Sequence, residues 1–127
     1  MRLQESGEMY LESILILAKQ HGTVRSIDIS VHLGYSKPSI SRAVSNLKKG
    51  GYILVDDAGL ITLTDVGMEI AQKIFNRHTL LRELLIRLGV DPKTAAEDAC
   101  KMEHAISDTS FEAIKTYVQQ FGEKNLR

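Results

Sequence analysis

The feature that most constrains this chain is one break in its hydrophobic period. Up to Leu47 the apolar residues recur at helical spacing, as in Met9, Leu11, Ile14, Leu15, Leu17 and Ala18. The spacing then changes. Tyr52-Ile53-Leu54-Val55 and Leu60-Ile61-Thr62-Leu63 read as two short strands, with Asp56-Asp57-Ala58-Gly59 turning between them. Helical spacing resumes from Thr64. The expected fold is therefore mainly α with one small β-hairpin.

Local punctuation divides the helical stretches. His21-Gly22 stops the first helix, Ser26 is the expected N-cap of a short second helix through Leu33, and Gly34 ends it. Ser36 caps a third helix with Pro38 in its first turn, and Gly50-Gly51 ends it. Thr64 caps a long helix toward Leu88, where Gly89 stops it. Asp91-Pro92 opens another through about Ile106, and Ser107-Asp108 begins a last one ending near Gly122. Helix, helix, tight turn, helix, hairpin is the order of a winged helix-turn-helix. We expect a winged helix-turn-helix DNA-binding domain over residues 1–70 and an all-helical unit over residues 71–127.

The third helix would then enter the major groove by its N-terminal end. It offers Ser36, Lys37, Pro38, Ser39, Ser41 and Arg42 to DNA, while Ile40, Val44 and Leu47 face inward. Arg42 suits guanine edges or phosphate; Lys37, Ser36 and Ser39 suit the phosphate backbone. The 16 basic and 16 acidic residues cancel, so positive charge must be concentrated locally. It is: residues 29–55 hold Lys37, Arg42, Lys48 and Lys49 and no acid. Asp56 and Asp57 at the hairpin turn would repel phosphate, which leaves the contacts mainly to the third helix.

One cysteine, Cys100, excludes an internal disulfide framework. With no apolar signal segment at the N-terminus and no membrane-length apolar run, a cytoplasmic protein is expected.

The residues that carry chemistry lie mostly beyond Pro92. Cys100, Glu103 and His104 share one helix face at i, i+3 and i+4, offering a thiolate, a carboxylate and an imidazole. Met9 and Glu12 share a face of the first helix, and His78 lies midway along the long one. Singly, each has a simpler role: Met9 in a core, Cys100 as a small apolar residue, Glu103 and His104 as a solvated pair, His78 at the surface. Spacing alone does not bring three helices to one point.

The stretches Gly7-Glu8-Met9-Tyr10-Leu11-Glu12, Ser36-Lys37-Pro38-Ser39-Ile40-Ser41-Arg42-Ala43-Val44, Leu63-Thr64-Asp65-Val66-Gly67, Arg77-His78-Thr79-Leu80-Leu81 and 97–108 (Glu97 to Asp108) resemble the DtxR/MntR family of metal-dependent repressors. The resemblance implies that residues 71–127 form a helical metal-binding and dimerisation domain, with metal ligands drawn from both domains. Met9, Cys100, Glu103 and His104 fall where iron-responsive members place a primary site, and His78 falls on a second-site ligand of both branches. Glu12 matches a ligand of the manganese type. Arg82 and Ala96 stand where iron-type second-site ligands would be, so a mixed second site of His78 and Glu12, sharing Glu103, is the alternative design. The SH3-like third domain of many iron-responsive members is expected to be absent.

The implied function is a metal-dependent transcriptional repressor of metal-homeostasis genes that binds double-stranded operator DNA as a homodimer. Thiolate and thioether donors put Fe2+ first and Mn2+ second, with Co2+, Ni2+ and Zn2+ compatible. No organic cofactor, membrane partner or enzymatic activity is expected. The competing readings are a winged-helix regulator not controlled by metal, and an enzyme with Cys100 as nucleophile and His104 as base. The enzyme reading lacks an oxyanion-hole motif and an orienting third group.

Overall fold

The computed structural model describes residues 5–122. In chain order these form α1 (Glu5–His21), α2 (Ser26–Leu33), α3 (Lys37–Lys49), β1 (Ile53–Val55), β2 (Ile61–Leu63), α4 (Asp65–Arg87), α5 (Pro92–Ala105) and α6 (Asp108–Tyr117). A π-helical turn, Val118–Gly122, follows α6. The fold is mainly helical with one antiparallel hairpin, as the period break requires. The chain divides into two compact units, Met1–Lys73 and Ile74–Arg127.

In the first unit, α2 packs on α3 and α1, α1 lies along β2, and α3 lies against β1. Leu11, Ile14, Leu15, Leu17, Val24, Ile29, Ile40, Leu47, Ile53 and Ile61 are buried. The hairpin pairs Ile53 with Leu63, Leu54 with Thr62 and Val55 with Ile61. The pleat therefore turns Ile53 and Ile61 inward and leaves Leu54 and Thr62 outside. The Ile61 N–H donates to the Val24 carbonyl at 2.8 Å, which ties the α1–α2 connection to the hairpin's outer edge.

Most of the expected helix ends are where the capping residues put them. Ser36 accepts from the Ser39 N–H, Asp91 from the Thr94 N–H and Ser107 from the Ser110 N–H. Gly34 takes the left-handed conformation (φ +72°) that a helix C-terminus requires. The N-cap of α2 is the exception: it is Arg25, not Ser26, and the Asp28 carboxylate accepts the Arg25 N–H at 2.9 Å.

The junction from hairpin to α4 explains the Thr64-Asp65-Val66-Gly67 stretch. The Thr64 N–H donates to the Tyr52 carbonyl at 3.1 Å, and the Thr64 hydroxyl donates to the Gly51 carbonyl at 2.7 Å. That hydroxyl also accepts the Gly67 N–H at 3.1 Å. These bonds draw the first turn of α4 onto the start of β1. A Cβ at Gly67 would overlap the Tyr52 carbonyl, so this glycine is required by close approach rather than by its dihedral angles.

The second unit is built on α4, α5 and α6. Leu81, Ala99 and Phe111 form its buried centre, with Leu80, Met102, Ile106 and Ile114 packed around them. α6 keeps α-helical bonding to Tyr117 and passes into the π turn, which carries the helical backbone to Gly122, the expected stop.

Candidate metal centre and nucleic-acid interface

In the first unit, α3 offers an exposed, acid-free N-terminal surface. Ser36, Lys37, Pro38, Ser41 and Arg42 are exposed, and Ser39 is half-buried. The Ser36 hydroxyl donates to the Ser39 hydroxyl at 2.9 Å, so these two serines are partly committed to each other. Ile40 and Leu47 are buried and Val44 half-buried, which fixes the helix rotation and keeps Lys37 and Arg42 outward.

The hairpin turn differs from its bare charge. Asp56 Oδ1 accepts from the N–H groups of Ala58 at 2.9 Å and Leu60 at 2.8 Å. Its carboxylate thus builds the turn, as Asp side chains commonly do. Arg25 Nη1 donates to the Ala58 carbonyl at 2.7 Å and brings a cation to the same turn. The repulsion expected from the Asp56-Asp57 pair is therefore smaller than the sequence suggests.

Met9 and Glu12 lie on α1 in this unit. Met9 is half-buried and Glu12 buried. The Tyr35 hydroxyl lies 4.0 Å from the Met9 sulfur, at the turn that leads into α3. Tyr35 also meets the Tyr10 ring edge-on, with centroids 6.2 Å apart and an interplanar angle of 74°. Nothing local in the sequence marks Tyr35, because its link to Met9 spans 26 residues.

In the second unit the helical spacing delivers what it promises. One donor atom each from Cys100, Glu103 and His104 lie within 4.8 Å of one another. Glu103 is fully buried, and its two oxygens face two imidazoles: His78 Nδ1 at 3.2 Å and His104 Nε2 at 3.3 Å. The solvated Glu103–His104 pair considered above is not what forms. The side chain of Glu103 is 0% exposed and that of His104 only 3%. His78 reaches the same carboxylate from α4 and is half-buried.

A buried carboxylate is costly to desolvate, and it is retained where charge partners or a cation compensate. A thiol, a carboxylate and one imidazole nitrogen at this separation fit a divalent transition ion, since each can supply one lone pair toward a shared point. Arg82 and Ala96 add nothing to this donor set, and Glu83 is exposed and paired with Arg87 at 3.9 Å.

Arg77 is the residue whose role spacing did not reveal. It is buried on α4, next to His78. Its Nη1 donates to the carbonyls of Glu103 and Ile106, each at 3.3 Å, and its Nη2 pairs with Asp108. Its guanidinium carbon lies 5.0 Å from the centroid of the Phe111 ring.

A winged helix joined to a helical unit that carries a buried Cys/Glu/His cluster defines a DNA-binding regulator of the metal-sensing class. The chain belongs to the iron dependent repressor (DtxR/MntR) family of metal-dependent transcriptional repressors. The family's N-terminal DNA binding domain matches residues 2–59, and its metal binding and dimerisation domain matches residues 64–125. The chain is 33% identical, over 96% of its length, to an uncharacterized HTH-type transcriptional regulator of Methanocaldococcus jannaschii, and covers 99% of that protein. It is 32% identical, also over 96% of its length, to the HTH-type transcriptional regulator MntR of Bacillus subtilis, of which it covers 86%. These relatives are transcriptional regulators, not enzymes.

Among solved structures, a manganese-dependent transcriptional repressor in complex with manganese superposes with a TM-score of 0.78 at 27% identity. That match covers 89% of this chain and 52% of the other. The IdeR of T. acidophilum shares the fold, with a TM-score of 0.78 at 24% identity over 96% of this chain and 56% of its own. The chain thus spans about half the length of these two solved proteins. No helix among the described residues is long and apolar enough to cross a membrane.

Proposed function

We propose that this protein represses metal-homeostasis genes by binding operator DNA as a homodimer when a divalent ion, Fe2+ ahead of Mn2+, is bound. The observation that carries the proposal is the buried Cys100, Glu103 and His104 cluster, with donor atoms within 4.8 Å. Residues 1–70 would bind DNA and residues 71–127 would bind metal and dimerise. Bound there, the ion supplies positive charge that compensates a thiolate and a carboxylate held away from water.

The chain's residues divide the work. Cys100 would lose its proton to become a ligand, making affinity rise with pH. Glu103 provides a charged oxygen and His104 a neutral nitrogen, while His78 would serve a second, mixed site on the family resemblance. Met9 and Glu12 are proposed as the ligands contributed by α1 on the family resemblance. Ser36, Lys37, Pro38, Ser39, Ser41 and Arg42 would meet DNA, with Arg42 the base- or phosphate-contacting cation. The sulfur of Cys100 supports Fe2+ over Mn2+, since thiolate prefers softer ions than manganese. The MntR relatives make Mn2+ the comparison ion.

The test is anaerobic binding to duplexes selected from a random pool, with Fe2+, Mn2+, Co2+ or Zn2+ added and chelator as control. Ion-dependent enrichment is expected, lost in Cys100→Ala and His104→Ala. Equal binding in chelator would replace this reading with a winged-helix regulator that does not respond to metal. Stronger activation by Mn2+ than by Fe2+ at matched free concentrations would overturn the choice of ion alone.

A further inference from the structure

We propose that Arg77 is a positioning residue for the metal centre: it fixes the last turn of α5, and with it Glu103 and His104, before any ion binds. The inference rests on the reading of Cys100, Glu103 and His104 as ligands.

The argument begins with where those ligands sit. α5 ends at Ala105, so Glu103 and His104 occupy its final turn. The last four carbonyls of a helix have no partner within it, and helix ends open more readily than interiors. A ligand pair placed there would sample many geometries unless something closed the end.

Arg77 closes it. Reaching across from α4, Nη1 is shared between the Glu103 and Ile106 carbonyls, both at 3.3 Å. Both acceptors lie at the end of α5, where a cation also meets the favourable end of the helix dipole. The other terminal nitrogen holds Asp108, in the first turn of α6, where an anion is favoured for the same reason. Phe111 of α6 lies against the guanidinium. One side chain therefore secures the end of α5, the start of α6 and the bend at Ile106 between them.

The link to the ligands is direct. The backbone carbonyl that Arg77 grips belongs to Glu103, whose carboxylate stands between His78 and His104. His78 is the next residue along α4, so Arg77 and His78 approach Glu103 from consecutive positions. The planar fork of an arginine can hold two carbonyls and a carboxylate together; a lysine ammonium, as a point donor, holds them less well. Outer groups that orient metal ligands commonly change metal affinity 10- to 100-fold when removed.

The experiment titrates Co2+ alone, anaerobically, into the full chain and follows the thiolate-to-cobalt absorption of Cys100. Arg77→Met is expected to weaken Co2+ binding about 10- to 100-fold and to alter the band shape. Arg77→Lys should recover part of the affinity. Asp108→Asn, at a side chain 73% exposed and so mild for folding, should show a smaller loss of the same kind. Thermal midpoints of the ion-free proteins are measured alongside. A role in folding alone would lower the midpoint and leave affinity and spectrum as in the wild type; that result overturns the proposal. If Arg77→Met does not fold, unchanged affinity in both Arg77→Lys and Asp108→Asn overturns it equally. A wild-type protein that binds Co2+ without a sulfur band refutes the ligand reading and this inference with it. A normal wild-type band with unaffected variants refutes only the inference.

Discussion

Glu103→Gln separates what the buried carboxylate does for stability from what it does for ion binding. Gln keeps the shape and gives up the charge. The Glu103 side chain is fully shielded from water, and its partners at 3.2 and 3.3 Å are imidazoles. Removing one member of a buried ion pair is usually harmful because the other is left charged. An imidazole, unlike an arginine or a lysine, is stable in a neutral form, so the substitution need not strand a buried charge. The ion-free variant should therefore unfold no more easily than the wild type. Ion binding should behave in the opposite way. An ion at 100 times its dissociation constant stabilises a protein by about 2.7 kcal/mol. For a domain of this size that is roughly a 10 °C rise in thermal midpoint. Glu103→Gln should lose most of the rise. Differential scanning calorimetry with Co2+ and with chelator measures both quantities in one series. A variant that keeps the full ion-induced rise refutes the role of Glu103. One that melts far below the wild type in chelator refutes the argument from desolvation.

Other substitutions test the remaining links. Gly67→Ala places a methyl group on the Tyr52 carbonyl and should destabilise the protein by about 1–3 kcal/mol in urea unfolding; a neutral result would mean that the junction yields freely. Asp56→Ala should speed amide exchange at Ala58 and Leu60, whereas Asp56→Asn, which keeps an acceptor oxygen, should not. Arg42→Ala should weaken DNA binding and, if it meets phosphate, lower the salt slope by about 0.9, with Co2+ affinity in the absence of DNA unchanged. Loss of Co2+ affinity in that variant would contradict the division of labour between α3 and the cluster.

The sequence was most legible where physics is local. Ser36, Pro38, Asp91, Pro92 and Ser107 cap helices with partners three residues away, so their positions follow from short-range bonding. The Cys100, Glu103 and His104 convergence is equally local, a matter of one helix face. Contacts over longer separations left no mark. Arg77 is 26 to 31 residues from the groups it binds, and an isolated arginine in a helical pattern reads as solvated surface. The burial of Glu103 was hidden for the same reason, since an acid beside a histidine is usually exposed. Asp56 misled in the other direction: its charge was visible, but the two amides that engage it depend on how the turn closes. The π turn after Tyr117 rests on a backbone pattern with no distinctive residue code.

The edge-on pair of Tyr10 and Tyr35 gives the protein a built-in optical probe. The chain has four tyrosines and no tryptophan, so its intrinsic ultraviolet emission comes from tyrosine without a stronger emitter to mask it. This pair lies beside the Met9 sulfur and the turn into the DNA-facing helix. Desolvation, followed by the neighbouring Tyr35, pushes the Tyr10 phenol above its ordinary pKa, with Arg42 pulling the other way. The ring therefore stays protonated, and emissive, through the mildly alkaline range in which a cysteine thiol deprotonates. Changes around Met9 should thus alter part of the tyrosine emission of the unlabelled protein, over the background of Tyr52 and Tyr117, under the same conditions in which the cluster would be loaded.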